Sequence, residues 1–363
     1  MNANANTPGQ GPAGPDESAQ LLSRTARDLP AGRHQFHKER LMARIQQEQR
    51  TETTTPAGAR RFRLPRPSIT LPLAAAAVAG AVVVVLALPA GGPGALATGP
   101  AMTTPVGVAT TQGVPELLDR ISLAAAEGPR PAVRPGQYLY IESQTSDTFL
   151  KTVGDKTTLA SYALHRRQKW NSPDGTRGWL IDPASNPGSG GETLSLPDEH
   201  GRPPVATLNT PSYDYLDTLT TDPDELLAKI YRETKGKGTS PDQQAFTTIG
   251  DLLGESYPPA QLYPALFRAA AKIPGVVVVQ GVVDALGRHG VGVARLDGNS
   301  GQREEWIFDR TTHVFLGRRT VQVAAAADAG AGAVIPPGTI TFTSAITHRA
   351  VVDGIRQTPS NGG

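Results

Sequence analysis

The hydrophobic pattern divides the chain unevenly. No charged residue lies between Arg66 and Glu116, and within that gap residues 69–90 read ITLPLAAAAVAGAVVVVLALPA. These 22 residues suffice for a helix to cross a hydrocarbon core of about 30 Å. Pro72 sits in the first turn, where a missing N–H costs little, and Pro89, Gly91, Gly92 and Pro93 close the segment. A buried helix of a globular domain keeps one polar face over such a length, and this one has none. The pattern predicts a single transmembrane helix over residues 69–90. Arg60, Arg61, Arg63 and Arg66 precede it, and no charge follows for 25 residues. The positive-inside rule then places the N-terminus in the cytoplasm and the C-terminal domain outside, in a single-pass protein of the cell membrane. The rival reading is a cleaved export signal. Ala95-Leu96-Ala97 has the small residues of a cleavage site, and Arg60-Arg61-Phe62-Arg63-Leu64 has a faint twin-arginine look. Against it stand an apolar stretch longer than an export signal needs and a very long leader. Both readings put the C-terminal part outside.

Residues 1–19 show no apolar period and are expected to be disordered. In residues 20–50, Leu41, Met42 and Ile45 recur at helical spacing, while Pro30-Ala31-Gly32 interrupts the leucines before them. This predicts one or two short amphipathic helices, too small for a core of their own and suited to docking on a partner. Residues 51–68 read as a basic linker and 91–113 as a Gly/Pro stalk. Residues 357–363 read as a loose tail.

Residues 114–356 carry the patterning of one substantial domain. Leu117, Leu118, Ile121, Ala124 and Ala125 make one side of a helix that ends at Gly128-Pro129. Strands are expected over 137–143, 157–170 and 177–181, with a loop over 186–204. Asp222 caps a second helix with Leu226, Leu227, Ile230 and Tyr231 on its inner side. Further helices are expected near 243–253 and 259–272. Strands over 276–283, 291–296, 304–308 and 313–321 follow, separated by short Gly/Asp turns, and a last strand spans 338–349. Turns this short leave no room for crossover helices, so the pairing is antiparallel. The expected fold class is α+β: an antiparallel sheet with helices on one face, preceded by one transmembrane helix and a short helical cytoplasmic segment.

Composition narrows the chemistry. There is no cysteine, which removes disulfides, thiolate catalysis and Cys-ligated metals. A formal net charge of +2 gives no reason to expect nucleic acid as a partner. His34 and His37 stand three apart but have no third ligand nearby, so a metal is not expected there. Arg33, His34, His37, Lys38, Arg40, Leu41, Arg44 and Ile45 are instead candidates for contact with anionic lipid or a cytoplasmic partner. In the outer domain, His165 is expected on the exposed side of a strand and His289 in a turn. Asp198-Glu199-His200 lies in a Gly/Pro loop, and Asp297-x-Asn299 lacks the distal Glu of an EF-hand. No nucleophile elbow, His-Glu-x-x-His or phosphate-binding glycine motif occurs. The reading is not an enzyme, with no cofactor and no metal. Tyr138, Tyr140, Trp170, Trp179 and Trp306 either line an apolar groove under the sheet or pack as ordinary core.

Three stretches occur together: residues 29–34 running into 38–42, the Ala/Val span, and residues 275–317 with Glu305-Trp306-Ile307-Phe308-Asp309. In these the chain resembles an actinobacterial family of single-pass membrane proteins, some encoded beside extracytoplasmic-function sigma factors. The resemblance covers most of the chain and carries no catalytic residue. It implies an anti-sigma-like role with a cytoplasmic sigma factor as partner, although the zinc-binding His-x-x-x-Cys-x-x-Cys pattern of such proteins is missing. The outer domain resembles the half-barrel of periplasmic lipoprotein carriers, which implies a curved antiparallel sheet over helices. The leading expectation is a membrane-anchored regulatory or sensory protein. The alternative is a tethered, non-enzymatic lipid or lipoprotein binder taking an apolar ligand outside. Reporter fusions test the topology. A cytoplasmic reporter is expected to work at Gln49 and an export-dependent one at Gly113. An export-dependent reporter active at Gln49 refutes the orientation.

Overall fold

Twelve strands, all paired antiparallel, carry the described part of the chain. The computed structural model describes residues 96–128, 132–153, 156–188, 190–325 and 335–359. The expected span, the cytoplasmic segment and its eight candidate partner residues lie outside these. Among the described residues no helix is long and apolar enough to cross a membrane.

The order begins β1 (Thr98–Pro100), β2 (Ala109–Thr110), α1 (Val114–Glu127), β3 (Tyr138–Val153), β4 (Lys156–Tyr162), β5 (His165–Asn171), β6 (Gly178–Ile181) and β7 (Glu192–Leu194). Helices α2 (Tyr213–Asp217), α3 (Pro223–Glu233), α4 (Pro241–Glu255) and α5 (Leu262–Ala271) come next. The chain ends with β8 (Val276–Val283), β9 (His289–Asp297), β10 (Gln302–Asp309), β11 (Phe315–Gln322) and β12 (Ile340–Val352). The spatial order is β2-β8-β9-β10-β11-β12-β3-β5-β6-β7, with β4 joining β3 to β1. The expected antiparallel α+β domain is what forms.

Three of the five described helices, α2, α3 and α4, start where a side chain satisfies free N–H groups. Asp222 accepts from the N–H groups of Asp224 and Glu225 at the head of α3, and Ser240 accepts from that of Gln243 at the head of α4. Burial follows the 3.6-residue period: Leu117, Leu118 and Ile121 on α1, Leu226, Leu227 and Ile230 on α3. These side chains meet alternate residues of the meander. Trp306 and Phe308 on β10 point toward the helices, with the Trp306 ring stacked on Phe246 of α4 at 3.9 Å. Gly250 permits this approach, since a Cβ there would stand 2.5 Å from Trp306 Nε1 and 2.6 Å from Glu304 Oε1.

On the opposite face, Ile307 packs with Val279, Val282, Ala294 and Leu316. Beside this cluster Glu305 is fully buried between Arg303 and Arg319, each donating from Nε at 2.7 Å. Both guanidiniums reach further. Arg303 Nη1 donates to the Gly107 carbonyl at 3.0 Å, and Arg319 Nη1 to the Val283 carbonyl at 3.0 Å and Thr104 Oγ1 at 3.3 Å. Residues 101–110 therefore form a strap across this face, pinned also by Thr104 N to the Gly338 carbonyl and Ile340 N to the Met102 carbonyl.

Here the structure departs from the sequence reading. Within the expected Gly/Pro stalk, residues 98–110 belong to the folded sheet. Their composition resembles a linker because the strap crosses close to the sheet: a Cβ at Gly107 would stand 2.9 Å from Val279 Cγ1. The single strand expected over 157–170 is two, β4 and β5, which lie end to end along one edge of the 16-residue β3. They break at Ala163, whose N–H turns to the Ala97 carbonyl and whose own carbonyl faces His165 Nδ1. The expected loop over 186–204 contains the short β7, and α2 is too short to show a period in sequence.

Replacing Glu305 by alanine strands two buried guanidiniums. The expected loss is about 3–5 kcal/mol of unfolding free energy, read by urea denaturation. A loss inside about 1 kcal/mol, the range of an exposed pair, refutes the clasp.

Candidate functional site

A polar stripe on α4 faces the sheet. Thr247, Asp251 and Glu255 stand at i, i+4 and i+8, one above another on the same side of the helix. Opposite them, strand alternation brings Arg167 and Lys169 from β5, Glu304 from β10 and Arg318 from β11. These side chains floor a cleft of about 710 Å³. Residues 193–211 rim it with Leu194, Leu196, Val205 and Leu208, and Phe342 of β12 and Leu180 of β6 add apolar wall.

The charges of the floor are bound to one another. Arg318 Nη1 lies 2.5 Å from Asp251 Oδ1 and 3.8 Å from Glu304 Oε1. Thr247 Oγ1 donates to Glu304 Oε2 at 2.8 Å. Glu255 collects three cations: Arg167 at 2.8 Å, Arg318 at 3.8 Å and Lys169 at 4.0 Å. Burial alone would raise the Glu255 carboxyl, but the charges of Arg167, Lys169 and Arg318 bring it down to about 2. Burial lowers the Lys169 ammonium, helped by Arg167 and opposed by Glu255. Arg167 also reaches Asp182 Oδ2 at 3.4 Å. The Asp182 carboxyl would likewise rise on burial, and the hydrogen bond from His165 with the charge of Arg167 holds it below the usual range.

His165 corrects the sequence reading. It was expected on the exposed side of β5, and its side chain is 4 % exposed. Its Nε2 lies 3.1 Å from Asp182 Oδ1 and its Nδ1 3.0 Å from the Ala163 carbonyl. The odd positions of β5 point to the helix side, so His165 joins Arg167 and Lys169 instead of facing water. Asp182 also accepts from Ala184 N and Ser185 Oγ, so the same carboxylate shapes the turn that leads into the rim.

The aromatic residues do not form a groove. Trp306 belongs to the helix-facing core on Phe246. Tyr140 and Trp170 are directly paired across β3 and β5 on the other face, with rings 5.0 Å apart, and Tyr138 and Val352 complete their cluster. Trp170 Nε1 donates to the Gln357 carbonyl at 2.6 Å, and the Arg356 guanidinium lies over Trp179 at 4.9 Å. None of the five lines the cleft. Asp198 accepts from the backbone of His200 and Arg202, and Asp297 from that of Asn299; both organise turns. Among the described residues no group of three His, Asp or Glu side chains is placed to hold a metal ion.

The floor residues were not singled out from sequence. The available signal was the polar stripe Thr247, Asp251, Glu255 on an otherwise apolar helix and the charges within apolar strands at Glu304 and Arg318. Chemically the floor offers fixed, mutually paired hydrogen-bonding groups under an aliphatic rim. Glu255, held near 2, has no proton to give near neutrality. No protein-family model and no curated protein matches the chain.

The Glu255 shift sets a pH dependence. Its folded-state value lies below its ordinary 4.5, so the stabilisation is complete above that value and is lost as pH falls from 4.5 toward about 2. Glu142, also brought down to about 2, contributes in the same window. The expected outcome is therefore a difference: stability of Glu255→Gln falls less over this window than that of the unaltered protein, by on the order of 3 kcal/mol. Parallel curves in acid denaturation refute the network.

Proposed function

We propose that the chain is a membrane-anchored, non-catalytic sensory protein whose outer domain receives a ligand in this cleft. The observation that carries the reading is the cleft itself. Its volume of about 710 Å³ suits a small-molecule site of roughly 300–1,000 Å³, and its floor is ionic yet internally paired. Such a floor can fix the polar end of a ligand without supplying an acid, a base or a nucleophile. The sequence of helix, strands, helices and meander adds a likeness to the half-barrel of lipoprotein carriers, in which a sheet and its helices enclose a ligand. In this reading residues 69–90 carry the state of the outer domain inward, and residues 20–50, with Arg33, His34, His37, Lys38, Arg40, Leu41, Arg44 and Ile45, meet a sigma factor or another transcription protein.

One observation favours the second reading, a tethered lipid or lipoprotein binder. The rim of the cleft is aliphatic, and Leu196 and Val205 stand exposed upon it. That reading needs no cytoplasmic partner.

Purification of the full chain from its own membranes separates the two. A transcription protein that copurifies with the full chain, and is lost when residues 1–60 are deleted, is the expected result. A full chain that never brings one down, yet carries lipid lost on widening the floor with Arg318→Ala, overturns the sensory reading in favour of the binder.

A further inference from the structure

One element reaches beyond the sheet. The pairing of β12 with β3 stops at Asp147, and that of β5 with β3 stops at Thr145. From Thr148 to Val153, β3 pairs only with β4, and β1 covers β4 only from Ala160 to Tyr162. Residues 150–153 and 156–159 thus form a two-stranded arm of about 20 Å with its foot. A ribbon of two strands is marginal in water. This one nevertheless exposes Leu150 at 52 % and Val153 at 68 %. Both charged side chains among its described residues are lysines, Lys151 and Lys156, and both are exposed.

The foot of the arm is also where the chain enters the folded body. The Ala97 carbonyl accepts from Ala163 N at 2.8 Å, at the end of β4, and Leu164 beside it is 36 % exposed. Seven Cα-to-Cα steps separate Ala97 from Ala90, the last of the apolar run. They span at most about 25 Å when fully extended. That reach is comparable with the arm's own length, so the arm is confined to the neighbourhood of the bilayer surface.

Resting on the anchored reading above, we infer that the β3–β4 arm lies on the outer surface of the anionic phospholipid bilayer. Val153 enters the interfacial zone, and Lys151 and Lys156, which share its face of the ribbon, stand among the phosphates, while Leu150 points to the opposite face. Thr145, Asp147 and Thr148 at the foot of the arm also line the cleft. The arm therefore sets the cleft mouth beside the lipid surface.

The absence of cysteine makes the test clean. Leu150→Cys, Val153→Cys and Val314→Cys each give one labelling site in the full chain. Val314 is the control: it is 58 % exposed and lies before Phe315, at the end of β11 away from the arm. Each labelled chain is reconstituted into phosphatidylcholine–phosphatidylglycerol vesicles containing nitroxide lipids, and flotation in high salt is scored first. The expected result is flotation of all three, with quenching severalfold stronger at 153 than at 314, and weaker at 150, on the opposite face of the ribbon, than at 153. Flotation with equal quenching at the three positions overturns the arm contact and leaves the anchor intact. Failure to float overturns the anchored reading and the arm contact with it.

Discussion

A carboxylate with no access to water must be met by donors on all sides, and Glu305 imposes that condition on the middle of the sheet. Its two oxygens are taken by Arg303 and Arg319, and neither guanidinium can then be left half satisfied. Their remaining donors reach the strap at Gly107 and Thr104 and the end of β8 at Val283. The strap must therefore cross here, and its path brings β1 to β4 and β2 to β8. One residue earlier on the same strand, Glu304 faces the helices and is held by Thr247, while Arg318 precedes Arg319 and faces Asp251. The central ribbon of β10 and β11 is charged on both faces, with the cleft on one side and the strap on the other.

This arrangement explains why the floor of the cleft is ionic. The large aromatics are spent on packing. Trp306 fills the space under α4 that Gly250 opens, and Tyr140 with Trp170 closes the far face at the other end of the sheet. What remains facing α4 from β5 and β11 is Arg167, Lys169 and Arg318, and a helix lying over three cations needs carboxylates. Asp251 and Glu255 supply them at the one spacing that keeps both on the sheet side.

The helices were legible because their signals are local: Asp222 and Pro223 announce α3, and the leucines of α1 keep the period by themselves. The meander was legible because Gly and Asp punctuate it. The arm, the strap and the floor were not, and each for a nonlocal reason. A strand such as β3 is bounded by where its partners stop, and β12 lies far off in sequence. Gly99, Pro100 and Gly107 look like linker residues until Ser161 and Ala160 are paired with the first two and Val279 is placed beside the third. His165 looked exposed because it heads a charged run, and Asp182, just past the next strand, with the Ala163 carbonyl makes its burial tolerable. For the five aromatics, the ordinary-core alternative describes Trp306 and its stack on Phe246.

The position of β12 governs the order in which this domain can form. It stands between β11 and β3, so without it the meander and the long-strand half are separate ribbons. The bond from Thr145 Oγ1 to the Thr343 carbonyl joins residues 198 apart in sequence. Sheets closed by such distant contacts fold slowly, because the loop entropy is lost before the contacts repay it. During synthesis β3 emerges well before its partner β12, with β4 to β11 and four helices between them, so one edge of a 16-residue strand stays open until β12 follows. That open edge is exposed to pairing with a neighbour's strand before β12 arrives.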